Sequence, residues 1–364
     1  MPKNSLEDYV TFHNGKGITV SNTGTYSVYG SNGKVGFFND YLYEGALIVG
    51  RVGAYCGSVQ LSREKFWATD NTIVLKTKAN VDLDYLYHLL SAVNLNKVAG
   101  GSAQPLITHG FLKNVKLSIP DLPIQKNIGS FFTLIDQLIE NSLQKIQVLE
   151  DTVRLLYNYW FLQFDFPSND GKPYKSAGGK MKWEAKLDKE IPSNWELKSL
   201  ADLQPILTGK EDANFATKKG SYAFFTCADE VFKCDEFAFE GKAVLLAGNG
   251  NFNIKLYEGK FNAYQRTYVL IPNDPKYYTI VYLALQDVVK SLANGSRGSI
   301  VKFITKGDIE GVTIALPQSG FDDEYAQLNE LTSRIEKLAE EVRKLQEIKE
   351  FLLPIVMNDQ VVVI

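Results

Sequence analysis

The sequence predicts an α+β chain: two similar mixed α/β domains joined by two long antiparallel coiled-coil helices, arranged as a pseudo-twofold duplication. Three observations predict it. Sequence features return at an offset of about 195 residues, each copy mixes strand-like with helix-like runs, and each copy is followed by a long segment with heptad spacing.

The repeat holds its register across most of each copy. The stretch from Leu6 to Asn14-Gly15-Lys16 is answered by one from Leu200 to Thr208-Gly209-Lys210. Tyr26 and Gly45 lie 196 residues before Tyr222 and Gly241, and Gly45-Ala46-Leu47-Ile48-Val49 returns as Gly241-Lys242-Ala243-Val244-Leu245. Lys65-Phe66-Trp67-Ala68 with Thr72-Ile73-Val74-Leu75 returns as Lys260-Phe261-Asn262-Ala263 with Thr267-Tyr268-Val269-Leu270. Gly101-Ser102 matches Gly295-Ser296, both read as turns, and Val115 to Pro120 matches Val312 to Pro317.

Within each copy, residues 45–50, 71–76, 241–247 and 266–271 are short apolar or β-branched runs bounded by Gly, Asn and Asp, as strands are. Residues 82–97 and 276–292 carry Leu, Tyr and Val at helical spacing. Glycine-rich turns are expected to fill much of the rest. After the second copy, Leu328, Leu331, Ile335, Leu338, Val342 and Leu345 alternate steps of three and four, and Pro354 is expected to end or kink that helix. After the first, Ile128, Phe131, Ile135 and Leu138 keep the rhythm, a shift is expected near Ser142, and Ile146, Leu149, Val153, Leu156 and Trp160 resume it. One such stripe is most simply a core helix. Two at equivalent places in a duplicated chain point to pairing, and helices of ~35 residues span roughly 50 Å at ~1.5 Å per residue. The expected division is a domain at 1–120, a helix at 121–165, a linker at 166–190, a second domain at 191–320, a second helix at 321–358 and a tail at 359–364.

At 364 residues, 45% hydrophobic and 22% charged, the composition is that of a soluble globular protein. No apolar run reaches the roughly 20 residues that span a bilayer, and the first residues lack the apolar stretch of a signal peptide, so no membrane partner and a cytoplasmic location are expected. Three cysteines, Cys56, Cys227 and Cys234, have no metal-ligand spacing and are expected as free thiols. The net charge of −3 hides an uneven distribution. Residues 1–120 carry 11 basic against 8 acidic side chains and residues 200–317 carry 13 of each, while the helical segments 121–165 and 321–358 carry 3 against 6 and 5 against 9. The charge leaves nucleic-acid binding open without supporting it.

Three segments carry a family resemblance. Pro120-Asp121-Leu122-Pro123-Ile124-Gln125-Lys126-Asn127-Ile128 is similar to the proline-then-Gln-Lys start of the first long helix in specificity subunits of type I restriction–modification enzymes. Leu155-Leu156-Tyr157-Asn158-Tyr159-Trp160-Phe161 followed by Phe164-Asp165-Phe166-Pro167 resembles the end of that helix, and Ile191-Pro192-Ser193-Asn194-Trp195-Glu196 resembles the lead-in to a target recognition domain. The second helix start, Pro317-Gln318-Ser319-Gly320-Phe321-Asp322, departs by lacking the Gln-Lys pair. The resemblance implies that the two domains are target recognition domains, each reading half of a bipartite, gapped DNA site. It implies that the helices set the gap and dock two modification (methyltransferase) subunits, and that restriction/translocase subunits join afterward. It also implies a chain without catalysis or cofactor of its own, S-adenosylmethionine, ATP and Mg belonging to the partner subunits of an adenine-N6 methyltransferase and endonuclease.

Candidate DNA-binding residues are amides and bases in the expected loops: Lys16, Lys34, Arg51, Gln104, Thr108, His109 and Lys113 in the first domain, and Lys210, Lys218, Lys219, Asn249, Asn251, Asn253, Gln265, Arg266, Arg297 and Lys302 in the second. Asn and Gln suit adenine; Arg and Lys suit guanine or phosphate. The alternative for each is a solvated loop residue. Tyr157, Tyr159 and Phe161 are placed either at a docking surface or in the core beneath the neighbouring domain. His88 is expected to pack on its helix. Catalytic motifs are missing: Asp274-Pro275-Lys276-Tyr277 lacks the second proline of an adenine methyltransferase motif, and neither Gly248-Asn249-Gly250 nor Gly30-Ser31-Asn32-Gly33-Lys34 completes a nucleotide-binding loop. The competing reading is a helical scaffold or adaptor with two protein-binding domains, which salt-insensitive behaviour toward DNA would favour.

Overall fold

The computed structural model describes residues 3–93, 95–98, 106–294 and 303–357, in two compact units, Met1–Ser142 with Glu341–Ile364 and Leu143–Glu340. The paired glycine–serine turns at 101–102 and 295–296, and the tail at 359–364, lie outside the described residues.

The first unit runs β1 (Asn4–Ser5), a 3-10 turn (Leu6–Asp8), β2 (Val10–Asn14), β3 (Tyr26–Gly30), β4 (Gly33–Phe38), β5 (Tyr43–Gly50), β6 (Val59–Ala68), β7 (Thr72–Thr77), α1 (Leu83–Val93), α2 (Leu95–Val98), α3 (His109–Lys113), β8 (Lys116–Leu117) and the start of α4 (Leu122–Tyr157). Its six-stranded sheet has the order β2-β7-β5-β6-β3-β4, antiparallel except where β3 runs parallel to β6. The apolar run at 45–50 is continuous because β5 is buried on both faces. Ala46 and Ile48 join Phe66, Ala68 and Val74 in a small core, while Leu47 and Val49 face a larger one containing Tyr85, Leu86 and Leu89 of α1. The sheet curls so far that the residues after edge strand β2 reach the end of β6, the Lys16 N–H donating to the Ala68 carbonyl at 2.8 Å.

The second unit repeats this plan. It follows a π turn (Asn158–Leu162) at the end of α4 with β9 (Met181–Glu184), β10 (Lys189–Pro192), β11 (Trp195–Ser199), α5 (Leu200–Leu203), β12 (Ile206–Thr208), a 3-10 turn (Ala213–Phe215), β13 (Tyr222–Phe225), β14 (Phe232–Cys234), β15 (Phe239–Ala247), β16 (Ile254–Ala263), β17 (Thr267–Leu270), a 3-10 turn (Pro275–Tyr277), α6 (Tyr278–Asn294), α7 (Lys306–Glu310), β18 (Thr313–Pro317) and α8 (Asp322–Met357). The sheet order β12-β17-β15-β16-β13-β14 is the first order copied strand for strand, including the one parallel pair, β13 with β16. Ala243 and Leu245 fill the small core with Phe261, Ala263 and Val269, and Val244 and Leu246 the large one with α6. The repeated Gly-Lys pair has a steric cause: a Cβ on Gly15 would overlap the Thr69 carbonyl oxygen, and one on Gly209 the Ala263 carbonyl oxygen.

The two 36-residue helices each contribute to both units. In the first unit, Ile128, Phe132 and Ile135 of α4 share a core with Val356 and Met357 near the end of α8, and Asp136 pairs with Lys349. In the second, Val153 and Tyr157 late in α4 share a core with Tyr325 and Leu328 near the start of α8. That reversed order is what antiparallel helices require. Pro354, expected to end or kink α8, lies three residues before Met357, the last described residue of that helix. One expectation is corrected: the seam of α4 does not shift at Ser142. Burial follows Ile128, Phe132, Ile135, Ile139, Ser142, Ile146, Leu149, Val153 and Tyr157 in unbroken steps of three and four, and Leu138, expected in the seam, is 44% exposed.

The segments that carry the family resemblance are packing devices. Trp195 is fully buried, with Phe166 stacked on it at 5.2 Å and Phe164, Phe161 and Phe321 around it at 5.4–5.6 Å. Tyr157 and Phe161 belong to this core and Tyr159 packs against it, so these three side chains support the second unit. Gln125 is buried where α4 meets the loop before α1. Its Oε1 accepts from the Asp82 N–H at 2.9 Å, and its Nε2 donates to the carbonyls of Pro120 at 2.8 Å and Asn80 at 3.1 Å. The second unit lacks the Gln-Lys pair and uses Asn329 instead, which accepts from the Thr279 N–H at 3.2 Å and donates to the Lys276 carbonyl at 2.9 Å.

His88 packs as expected, buried on α1 against Phe132 at 5.5 Å. Burial, reinforced by Lys349 and Arg63 and opposed by Asp136, holds its pKa down to about 4. An unfolded histidine takes its proton near pH 6.5. Between those values the unfolded chain binds a proton that the folded chain refuses, so the stability present above pH 6.5 is lost as pH falls toward 4. We expect urea unfolding of the parent chain to lose about 2 kcal/mol more than His88→Gln between pH 7 and pH 5. Parallel pH dependences for the two proteins would show that His88 is protonated in the native state.

Candidate nucleic-acid interface

The shared curl brings the loops that follow β2, β3, β5 and β6 to one end of the first sheet. Lys16 is tied there by the Ala68 carbonyl and by the Trp67 indole, which donates to the Lys16 carbonyl at 2.9 Å. Ser31 donates to the Asn71 carbonyl at 2.7 Å, and Ser58 to the Ser31 carbonyl at 2.6 Å, stitching three loops together. Lys34 is exposed at the β3–β4 turn, its amine 4.0 Å above the Phe37 ring. Arg51 leaves β5 between the Asn71 carbonyl, which accepts its N–H at 2.9 Å, and the Ile107 N–H, which donates to its carbonyl at 3.0 Å. His109 lies two residues beyond Ile107 with its ring 5.8 Å from Phe12. Burial, followed by the Arg51, Lys113 and His13 charges, holds the His109 pKa below the ordinary imidazole value. Thr108 caps α3, accepting from the Phe111 N–H at 3.1 Å, a role Thr305 repeats on α7. Lys113 stands 3.9 Å from Glu7.

The second unit gathers the corresponding loops and binds them more tightly. Asn251 donates to Asp229 at 2.8 Å; Asn253 donates to Asp229 at 3.0 Å and to the Cys227 carbonyl at 2.9 Å; Lys255 reaches Asn253 and the Ala228 carbonyl. Burial pulls the Lys255 amine below its ordinary range. Gln265 donates to Asp212 at 2.9 Å. Lys210, Lys218, Lys219 and Arg266 are exposed, and Asn249 is half-buried. Gln104, Arg297 and Lys302 lie outside the described residues. Sequence reasoning missed Asp212, Asp229 and Lys255: an acidic residue in a nearly neutral domain gives no sign that it will hold two asparagines in place. The three cysteines are free thiols, Cys56 and Cys234 buried and Cys227 half-buried. Among the described residues no helix is long and apolar enough to cross a membrane, and no group of three or more His, Cys, Asp or Glu side chains could hold a metal ion.

The doubled, curled sheet with polar loops collected at one end and a long helix after each copy defines an internally duplicated α+β protein. The family profile described as the type I restriction modification DNA specificity domain matches residues 5–151 and again 192–349, and the chain belongs to that family. It is 39% identical over 166 residues to the EcoDI specificity subunit of Escherichia coli, covering 43% of this chain but only 37% of that protein. It is 23% identical over 307 residues to the MjaIX specificity subunit of Methanocaldococcus jannaschii, covering 76% of this chain and 68% of that one. The fold is that of the type I restriction–modification S subunit from M. genitalium, with a TM-score of 0.73 at 18% identity over 97% of this chain and 95% of that one.

Proposed function

We propose that this chain is the sequence-reading, non-catalytic subunit of a type I restriction–modification complex, each unit recognising one half of a bipartite, gapped DNA site. The observation that carries the reading is the doubled scaffold itself. Two sheets of identical strand order hold loops whose side chains differ, and that is what two different half-sites need. Base edges in the major groove are distinguished by amides and guanidinium groups on a rigid support, while exposed lysines such as Lys16, Lys34 and Lys210 suit phosphates. The helices set the gap: at about 1.5 Å per residue, 36 residues make a rod of ~54 Å, long enough to separate half-sites by a turn or more of DNA. Apolar side chains exposed on them, Leu134, Leu138, Val148 and Leu155 of α4 with Ile348 and Phe351 of α8, suit the docking of two modification subunits. S-adenosylmethionine, ATP and Mg, and the restriction/translocase step, belong in this proposal to the partner subunits of a cytoplasmic assembly.

The test is co-expression with the cognate modification subunit, followed by sequencing of methylated adenines in host DNA. One split motif with a fixed gap is expected. A stable complex whose DNA binding has no sequence preference and no dependence on salt would turn the reading to a protein-binding scaffold.

A further inference from the structure

The duplication lets the chain be compared with itself, and one framework position differs sharply. Arg51 and Gly248 occupy the same place: each leaves the central strand, donates its N–H to the loop before the next strand (Asn71 or Arg266), and accepts from an isoleucine N–H (Ile107 or Ile304) just ahead of the threonine-capped helix. The backbone is conserved and the side chain is not. A Cβ on Gly248 would lie 3.1 Å from the Tyr268 ring, which fills that side of the second unit and donates to the Ile304 carbonyl at 2.9 Å. In the first unit the residue matching Tyr268 is the smaller Ile73, and the residue matching Gly248 is Arg51. Its Nε is shielded from solvent and has no hydrogen-bond partner among the described residues; the same is true of His109 Nε2 beside it. A shielded guanidinium N–H without an acceptor is costly unless a ligand supplies one.

The surroundings say what kind of acceptor. Arg51 adjoins a groove of about 350 Å³ through two of its lining residues, Val52, which follows it in the chain, and Asn71, whose carbonyl accepts its N–H; Ser31, Asn32, Val35 and Tyr55 also line the groove. Amides, a hydroxyl and small apolar surfaces are the partners of base edges and thymine methyls. We propose that Arg51 is the specificity-determining residue of the first unit, forking onto O6 and N7 of a guanine in its half-site. This rests on the DNA-reading function proposed above.

The experiment is methylated-site sequencing of cells carrying the parent chain, Arg51→Ala or Arg51→Lys with the modification subunit, alongside thermal unfolding of each purified complex. Both variants are expected to make one guanine of the first half-site degenerate, a 10- to 100-fold loss of discrimination, with the second half-site, the gap and the melting temperature unchanged. Arg51→Lys keeps the charge but not the fork, so full recovery of the motif by lysine would mark a phosphate contact and overturn the proposal. So would an unchanged motif methylated uniformly less often in both variants. If Arg51→Ala does not fold, Arg51→Lys alone decides by the same criterion. Absence of any split motif for the parent chain would instead refute the DNA-reading function itself.

Discussion

Replacing residues 1–120 by the corresponding segment of another specificity subunit is expected to exchange one half of the methylated motif and leave the other half and the gap untouched. Each mismatched base pair costs about 1–3 kcal/mol, so a half-site of several pairs read by the wrong loops loses roughly a thousandfold in occupancy or more. The expectation follows from how the first unit is built. Its sheet, both of its cores and all four gathered loops come from the exchanged segment, apart from the helix residues that close the large core. Exchange of residues 191–320 is expected to do the converse. Sequencing of methylated sites for both chimeras reads the result, and a single exchange that altered both halves together would end the two-reader account.

Gln125→Leu is expected to destabilise the first unit by about 2–4 kcal/mol, because it strands the buried Pro120 carbonyl at about 1–3 kcal/mol and the less shielded Asp82 N–H and Asn80 carbonyl at less. Leucine matches the glutamine in bulk, so little of the effect is lost packing. Asn329→Leu, at a half-buried position, is expected to cost less, about 1–2 kcal/mol. Denaturant unfolding of the two variants measures the difference. A loss below about 1 kcal/mol for Gln125→Leu would mean that water replaces the clamp.

The duplication, the two-sided strands β5 and β15 and the long helices were legible because burial leaves uninterrupted apolar runs or steps of three and four. Strands β3, β4, β6, β13, β14 and β16 were not: they carry stretches such as Leu61-Ser62-Arg63-Glu64-Lys65, which expose charged side chains at a sheet surface and leave no apolar run. The register of α4 was misread for a related reason. Phe131 and Leu138 took the places of Phe132 and Ile139 because each is apolar, and the buried Ser142 is polar, so hydrophobicity alone broke a stripe that burial continues. At the loops, residue type could not separate roles. Thr108 spends its hydroxyl capping a helix, and Asn251 and Asn253 are held by an aspartate that no periodicity reveals.

The glutamine clamp touches only main-chain atoms of the segment it secures. Peptide groups are the same in every sequence, so the joint accepts whatever side chains the exchanged segment brings. A segment joined just upstream of Gln125 therefore meets a socket that already fits, and loop side chains can change by exchange while the joint that holds them does not.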